Sequence, residues 1–254
     1  QSSSKSVANP VSAPTPAAPT TPGPTPTSAG DVREAIVDNA RFGGDEFDDA
    51  NSYQSLAMTW VMTQEVPAAG IDLSMEEQVL QLYALACIYY STYSTRNDWT
   101  DFYFGIDEAP PGWFINRGWL GSSHEVCAWH GITCNADSRV QKIELDTNGL
   151  TGMLPPETTL LFGSLTYLDL YNNLIHNKGD EGNAWLGELV NLEFLFYGST
   201  SFEYDGVPTE IGLLTNLKEY DFSYSLYFGE LPSGMWSGLS NLDYLVMDGN
   251  AYNS

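Results

Sequence analysis

The chain has 254 residues, 43% of them hydrophobic, enough to bury a sizeable core in one large or two modest domains. Its 33 Asp and Glu against 9 Lys and Arg give a net charge of −24, which repels nucleic acid and anionic lipid. The longest apolar run, LYALACIYY at 82–90, is too short to span a bilayer.

The chain opens on QSSSKS, without Met or an apolar leader, as a processed mature chain would. Residues 1–30 are Pro, Ala, Thr and Ser with almost no charge. This composition cannot bury enough surface to fold alone and is biased to extended polyproline II. It reads as a linker or a stalk. Eleven Ser and Thr lie within the first 28 residues, and Thr15, Thr20, Thr21, Thr25 and Thr27, each next to a proline, are candidates for O-glycosylation. Neither Asn9, followed by Pro, nor Asn253, one residue from the end, offers a usable N-glycosylation sequon.

From Asp31 the pattern turns helical. Asp31 with Glu34 fits a capping box ahead of Val32, Ala35 and Ile36. In NSYQSLAMTWVMTQE, 51–65, Leu56, Trp60 and Val61 fall on one helical face. The strongest helix follows Ser74 and Glu77, with Val79, Leu82, Tyr83, Ala86, Ile88 and Tyr89 as a broad apolar stripe and Cys87 among them as a buried thiol. GGDEFDDAN, 43–51, carries carboxylates that could hold calcium but lacks EF-hand spacing, so a solvated acidic loop is the plainer reading.

CAWHGITC, 127–134, can be read two ways. With His124 ahead of it, His124, Cys127, His130 and Cys134 have the spacing of four zinc ligands. Alternatively the two cysteines are cross-linked and the histidines are polar residues flanking a turn.

The last 115 residues repeat. VQKIELDTNGL, LTYLDLYNNLI, LEFLFYGSTSF, LKEYDFSYSLY and LDYLVMDGNAY follow one another at offsets of 25, 27, 25 and 25 residues and fit L-x-x-L-x-L-x-x-N-x-L. Each unit supplies one short strand and buries its apolar side chains only by stacking on its neighbours. At the Asn position stand Asn148, Asn173, Thr200, Ser225 and Asn250, residue types that bond backbone groups in the following turn. Strand positions between the apolar ones line the concave face in three columns. One holds Glu144, Asp169, Phe196, Asp221 and Val246; the next holds Lys142, Tyr167, Phe194, Glu219 and Tyr244; the third holds Asp146, Tyr171, Gly198, Ser223 and Asp248. The candidate ligand-binding residues are Glu144, Tyr167, Asp169, Tyr171, Phe194, Phe196, Glu219, Asp221, Tyr224 and Tyr244. Aromatic rings beside carboxylates suit sugar rings, calcium-bridged polyanions or a protein partner. Glu144 and Asp169 on adjacent rungs would lie about 5 Å apart, the spacing of a retaining glycosidase pair. An open sheet offers no pocket to shift a pKa, so no catalytic residue is assigned.

Between the repeats lie LTGMLPPE, DGVPTEIGLL and FGELPSGMWSGLS. These resemble the continuation segments of plant-type extracellular leucine-rich repeat proteins. CAWHGITC is similar to the W-x-G-(I/V)-x-C element that ends their N-terminal cap. The combination YALACIYYSTYSTRNDWT, GWL, CAWHGITC and VQKIEL most resembles the secreted and cell-surface repeat proteins of diatoms and related algae. The resemblance covers residues 50 to 254. It implies an α/β leucine-rich repeat solenoid, 140–254, with parallel strands on the concave face, behind a helical, disulfide-closed cap, 31–139; the extended tail, 1–30, matches only as a generic stalk. It also implies a Cys127–Cys134 disulfide and with it an oxidising extracellular or cell-surface location. The acidic, aromatic face itself points to protein or carbohydrate partners and to no cofactor beyond a calcium ion. The sequence stops after the repeat five strand without a return segment or second cap. Either the chain is cut short there or another molecule covers that edge, and an identical subunit would do so head to tail, building a filament or adhesive layer. A monomeric recognition ectodomain is the alternative, and a glycan-processing enzyme the second.

Overall fold

The computed structural model describes residues 29–63, 76–93, 112–121, 125–176, 183–200 and 207–252. Six strands form one sheet in the order β1 (Ile132–Cys134), β2 (Val140–Glu144), β4 (Tyr167–Asp169), β6 (Phe194–Phe196), β7 (Glu219–Asp221) and β9 (Tyr244–Val246). β1 runs antiparallel to β2 and every later pair is parallel. Alternation explains the burial. Ile143, Leu168, Leu195 and Tyr220 share one register and are fully buried, while their sequence neighbours face the concave side. Two short pairs flank the sheet: β3 (Thr151–Gly152) with β5 (Leu174–Ile175), and β8 (Phe228–Gly229) with β10 (Ala251–Tyr252).

The chain returns from strand to strand through tight helical turns: 3-10 segments Pro156–Leu161, Ala184–Glu188 and Thr209–Leu213, then the short helix α4 (Ser233–Gly238). Pro155, Pro208 and Pro232 precede three of these turns, where the fixed φ of proline suits the entry and no N–H is lost from a ladder. Successive turns approach closely; a side chain at Gly212 would stand 2.9 Å from the Gly234 carbonyl. Deeper in, tyrosines replace leucine in the third and fourth repeats. The Tyr197 and Tyr220 hydroxyls meet at 2.5 Å, and Tyr227 donates to Tyr197 at 3.3 Å.

The Asn position works as the sequence suggests. Asn173 Oδ1 accepts the N–H groups of Asn148 and Leu150, and its Nδ2 donates to the carbonyls of Leu145 and Leu170. Asn250 repeats the pattern on Ser225, Tyr227, Phe222 and Met247. Thr200 and Ser225 do less with one hydroxyl each, both bonding the Tyr197 carbonyl. Asn148 closes the ladder at the other end, exchanging hydrogen bonds with the Ile115 backbone.

Ahead of the sheet stand α1 (Ala29–Asp38), α2 (Tyr53–Thr63) and α3 (Glu76–Thr92). Val32, Ala35 and Ile36 of α1 are buried, but the helix begins at Ala29, so Asp31 lies inside its first turn and not at its cap. In α2 the buried face is Gln54, Ser55, Ala57, Met58 and Val61; Leu56 is 39% exposed, contrary to its expected place beside Trp60 and Val61. Val79, Leu82, Tyr83, Ala86 and Ile88 of the α3 stripe are buried as expected, along with Ala84, Leu85 and Cys87, whereas Tyr89 is only partly buried. Ser74 lies outside the described residues, as do the tail threonines. Gln81 ties α3 to the first repeat strand, accepting the Val140 N–H at 2.7 Å and donating to the Ser138 carbonyl at 3.2 Å. The acidic loop folds on itself, Glu46 accepting the N–H groups of Phe42 and Gly44.

An aromatic cluster joins the helices to CAWHGITC. Trp119 lies 4.6 Å from Trp113 and 5.1 Å from Trp129, ring centre to ring centre, and Trp129 packs on Trp60 at 6.0 Å. Cys127 and Cys134 form a disulfide, which removes two of the four zinc-type ligands. Replacing both with Ser should lower the unfolding free energy by about 2.5 kcal/mol, the loop-closure entropy of so short a loop. Urea denaturation of both forms measures the difference.

Candidate functional site

The concave face forms because parallel in-register pairing stacks equivalent positions of each repeat. Lys142, Tyr167, Phe194, Glu219 and Tyr244 make one column and Glu144, Asp169, Phe196, Asp221 and Val246 the next. Hydrogen bonds from Thr147 to Tyr171, Asn172 to Gly198, Ser199 to Ser223 and Tyr224 to Asp248 carry the ladder past the third column.

The rings of Tyr167, Phe194 and Phe196 form a continuous patch, with Tyr167 5.5 Å from Phe194 and 5.6 Å from Phe196. Two of these rings already hold the protein's own cations. Lys142 Nζ lies 5.0 Å from the Tyr167 ring centre and Lys218 Nζ 5.9 Å from that of Phe194. Lys218 is also paired with Glu193 at 2.6 Å. Neither arrangement was foreseen, although Lys142 stands in the second column.

Asp169 and Asp221 sit on either side of Phe196. Each closes a turn after its strand: Asp169 Oδ1 accepts the Tyr171 N–H at 3.0 Å, and Asp221 Oδ1 accepts the Ser223 N–H and hydroxyl at 2.8 and 2.7 Å. Burial raises the Asp169 pKa to about 6 against the lowering effect of the Tyr171 N–H, and the nearby carboxylates of Asp146, Glu144 and Asp221 add to the rise. An open sheet was expected to leave such a group unshifted. Partial burial among neighbours of like charge overturns that expectation.

Gly198 stands in the third column between Tyr171 and Ser223, where Asp221 and Ser223 fill the space a side chain would take. A side chain there would stand 2.8 Å from Asp221 Oδ1 and 2.9 Å from Ser223 Oγ. Tyr244, 60% exposed, extends the aromatic surface toward the last strand. Tyr224 does not lie in any column. It occupies the turn after β7 at φ 51°, a conformation repeated at Thr147, Asn172 and Ser199, and its ring covers Gly249. The periodicity placed it beside the strand residues, but the left-handed turn swings it to the rim. All the other candidate residues share the face. Its carboxylates, Glu144, Asp146, Asp169, Glu219, Asp221 and Asp248, outnumber its cations, Lys142 and Lys218, which favours a positively charged ligand.

No helix among the described residues is long and apolar enough to cross a membrane. No protein-family model matches the chain. Over 146 residues, 53% of this chain, it is 32% identical to phytosulfokine receptor 1 of Arabidopsis thaliana. Over 127 residues, 50% of this chain, it is 28% identical to the receptor-like protein kinase BRI1-like 3 of the same plant. The matches span 14% and 11% of those relatives' own lengths. Among solved structures, the BIR2 ectodomain from Arabidopsis thaliana aligns with 51% of this chain and 66% of its own at 23% identity and a TM-score of 0.45. The stacked strands and the repeated sequence establish a leucine-rich repeat solenoid, and its sequence relatives are plant leucine-rich repeat receptors.

Proposed function

We propose that this chain is a non-catalytic extracellular recognition module that binds an extended basic peptide or protein segment across its concave face. The observation that carries this reading is the patch of Tyr167, Phe194 and Phe196 flanked by Asp169 and Asp221, with the chain's own Lys142 already seated on one ring. A ligand's ammonium or guanidinium group would rest on Phe196 between the two carboxylates. The disulfide supports an oxidising compartment, and the receptor names of the relatives support recognition over chemistry. Sugar rings also stack on aromatics, but the excess of carboxylates favours a cationic partner. The likeness to algal proteins adds nothing to this choice. Self-association into a filament has no specific support among the described residues.

The test is a binding titration with a short peptide alternating lysine and tyrosine, with a control peptide carrying glutamate for lysine. Phe194→Ala with Phe196→Ala should weaken binding by about 2 kcal/mol, ~25-fold, at about 1 kcal/mol for each ring. Affinity should fall as pH drops through about 6, because Asp169 there takes up a proton and loses the charge that holds the cation. Asp169→Asn should remove that step. Equal affinity for both peptides would end the proposal.

A further inference from the structure

Glu157 carries a carboxyl into the core. It lies in the return segment Pro156–Leu161, where that segment packs against α3, and is 5% exposed. Oε2 accepts the hydroxyl of Tyr53 from α2 at 3.0 Å. Oε1 is fully buried and makes no hydrogen bond within the usual limits, and the hydroxyl of Tyr83, from α3, is in the same condition. The titratable groups acting on this corner are Tyr53 from α2, Tyr83 and Cys87 from α3, and Glu46 from the acidic turn. None of them supplies positive charge. From the neighbouring return segment, Glu188 is engaged by Arg41 at 2.9 Å. Gln54 of α2 is the remaining polar neighbour.

We propose that Glu157 is an acid-closed latch between the helical cap and the first repeat: its neutral carboxyl lets α2 and α3 pack down, and its ionisation loosens them. A carboxylate buried without a counter-ion, with one oxygen lacking a donor, is disfavoured against the neutral acid. The same carboxyl on an opened cap is solvated and ionises in the ordinary range. Burial raises its pKa in the closed form, although the nearby Glu157 N–H, the Tyr53 hydroxyl and the Gln54 amide hold it down in part. The folded state therefore holds the proton more tightly. The latch is fully closed below the ordinary carboxylate range and loses its hold as pH rises through the raised value. Burial drives the Tyr53, Tyr83 and Cys87 values upward as well, away from that window.

Hydrogen exchange of the α3 amides in the full chain, corrected for intrinsic rates, tests the latch from about pH 4 to about pH 8. Asp169 has the same sign of shift on the sheet, so α3 is read against β4. Protection of α3 should fall by up to about tenfold per pH unit through the window, because opening releases one proton. Glu157→Gln should keep α3 protected and remove the slope. Tyr53→Phe removes a donor that favours the anion, so it should move the window to higher pH; a purely structural role would lower protection equally at every pH. Should Glu157→Gln fail to fold, the displacement in Tyr53→Phe decides alone. A wild-type slope retained in Glu157→Gln, or a window unmoved by Tyr53→Phe, overturns the proposal.

Discussion

Asn173→Ala is expected to lower the unfolding free energy by about 4 kcal/mol, the largest effect of any single polar substitution in the repeats. The side chain is buried between the first and second repeats and makes four short hydrogen bonds to backbone groups of both, with a fifth, longer one to the Tyr171 carbonyl at 3.4 Å. Alanine leaves two N–H groups and two carbonyls without partners, each costing roughly 1–3 kcal/mol where water cannot follow. Relaxation of the turn recovers part of that sum. Thr200→Ala at the equivalent position should cost only about 1 kcal/mol, since its hydroxyl chiefly serves the Tyr197 carbonyl. Urea unfolding of the two variants checks the contrast, and equal costs would mean that the side-chain ladder does not hold the repeats together.

Trp119→Ala should cost about 4 kcal/mol and fall on the cap. Its ring contacts Trp113, Trp129 and Tyr89, and its indole N–H donates to the His130 carbonyl at 2.8 Å. That bond ties the segment before the disulfide to the loop the disulfide closes. Truncation removes the central ring of the cluster and strands a carbonyl. Near-ultraviolet circular dichroism, dominated here by packed aromatics, should collapse well before the far-ultraviolet signal of the helices. Loss of both signals together would show that the cap and the repeats unfold as a unit.

The concave face was legible because a repeat converts sequence offsets directly into register. Once VQKIEL and LTYLDL are aligned, Glu144 must lie beside Asp169, and the sheet pairs them so. The Asn ladder was legible for the same reason. Helix faces were less secure. Trp60 and Val61 are adjacent in sequence but differ in burial, and α2 turns Gln54 toward Glu157 and Ser55 toward the Phe47 carbonyl, which leaves Leu56 outside. Tyr224 was misplaced because periodicity gives position along a strand but not the left-handed turn that ends it. Glu157 gave no signal at all: it stands at a position between repeats where polar residues are ordinary, and its partner Tyr53 is 104 residues away. The raised pKa of Asp169 likewise depends on three other strands and turns, brought near only by folding.

The measurement that bears most directly on the proposed recognition face is a hydrogen-exchange footprint of the bound lysine–tyrosine peptide. Slowed exchange confined to β4, β6 and β7 and the turns after them would place the ligand on Tyr167, Phe194, Phe196 and Asp221, as proposed. Slowed exchange on the return segments Thr209–Leu213 and α4, with those strands unchanged, would contradict it.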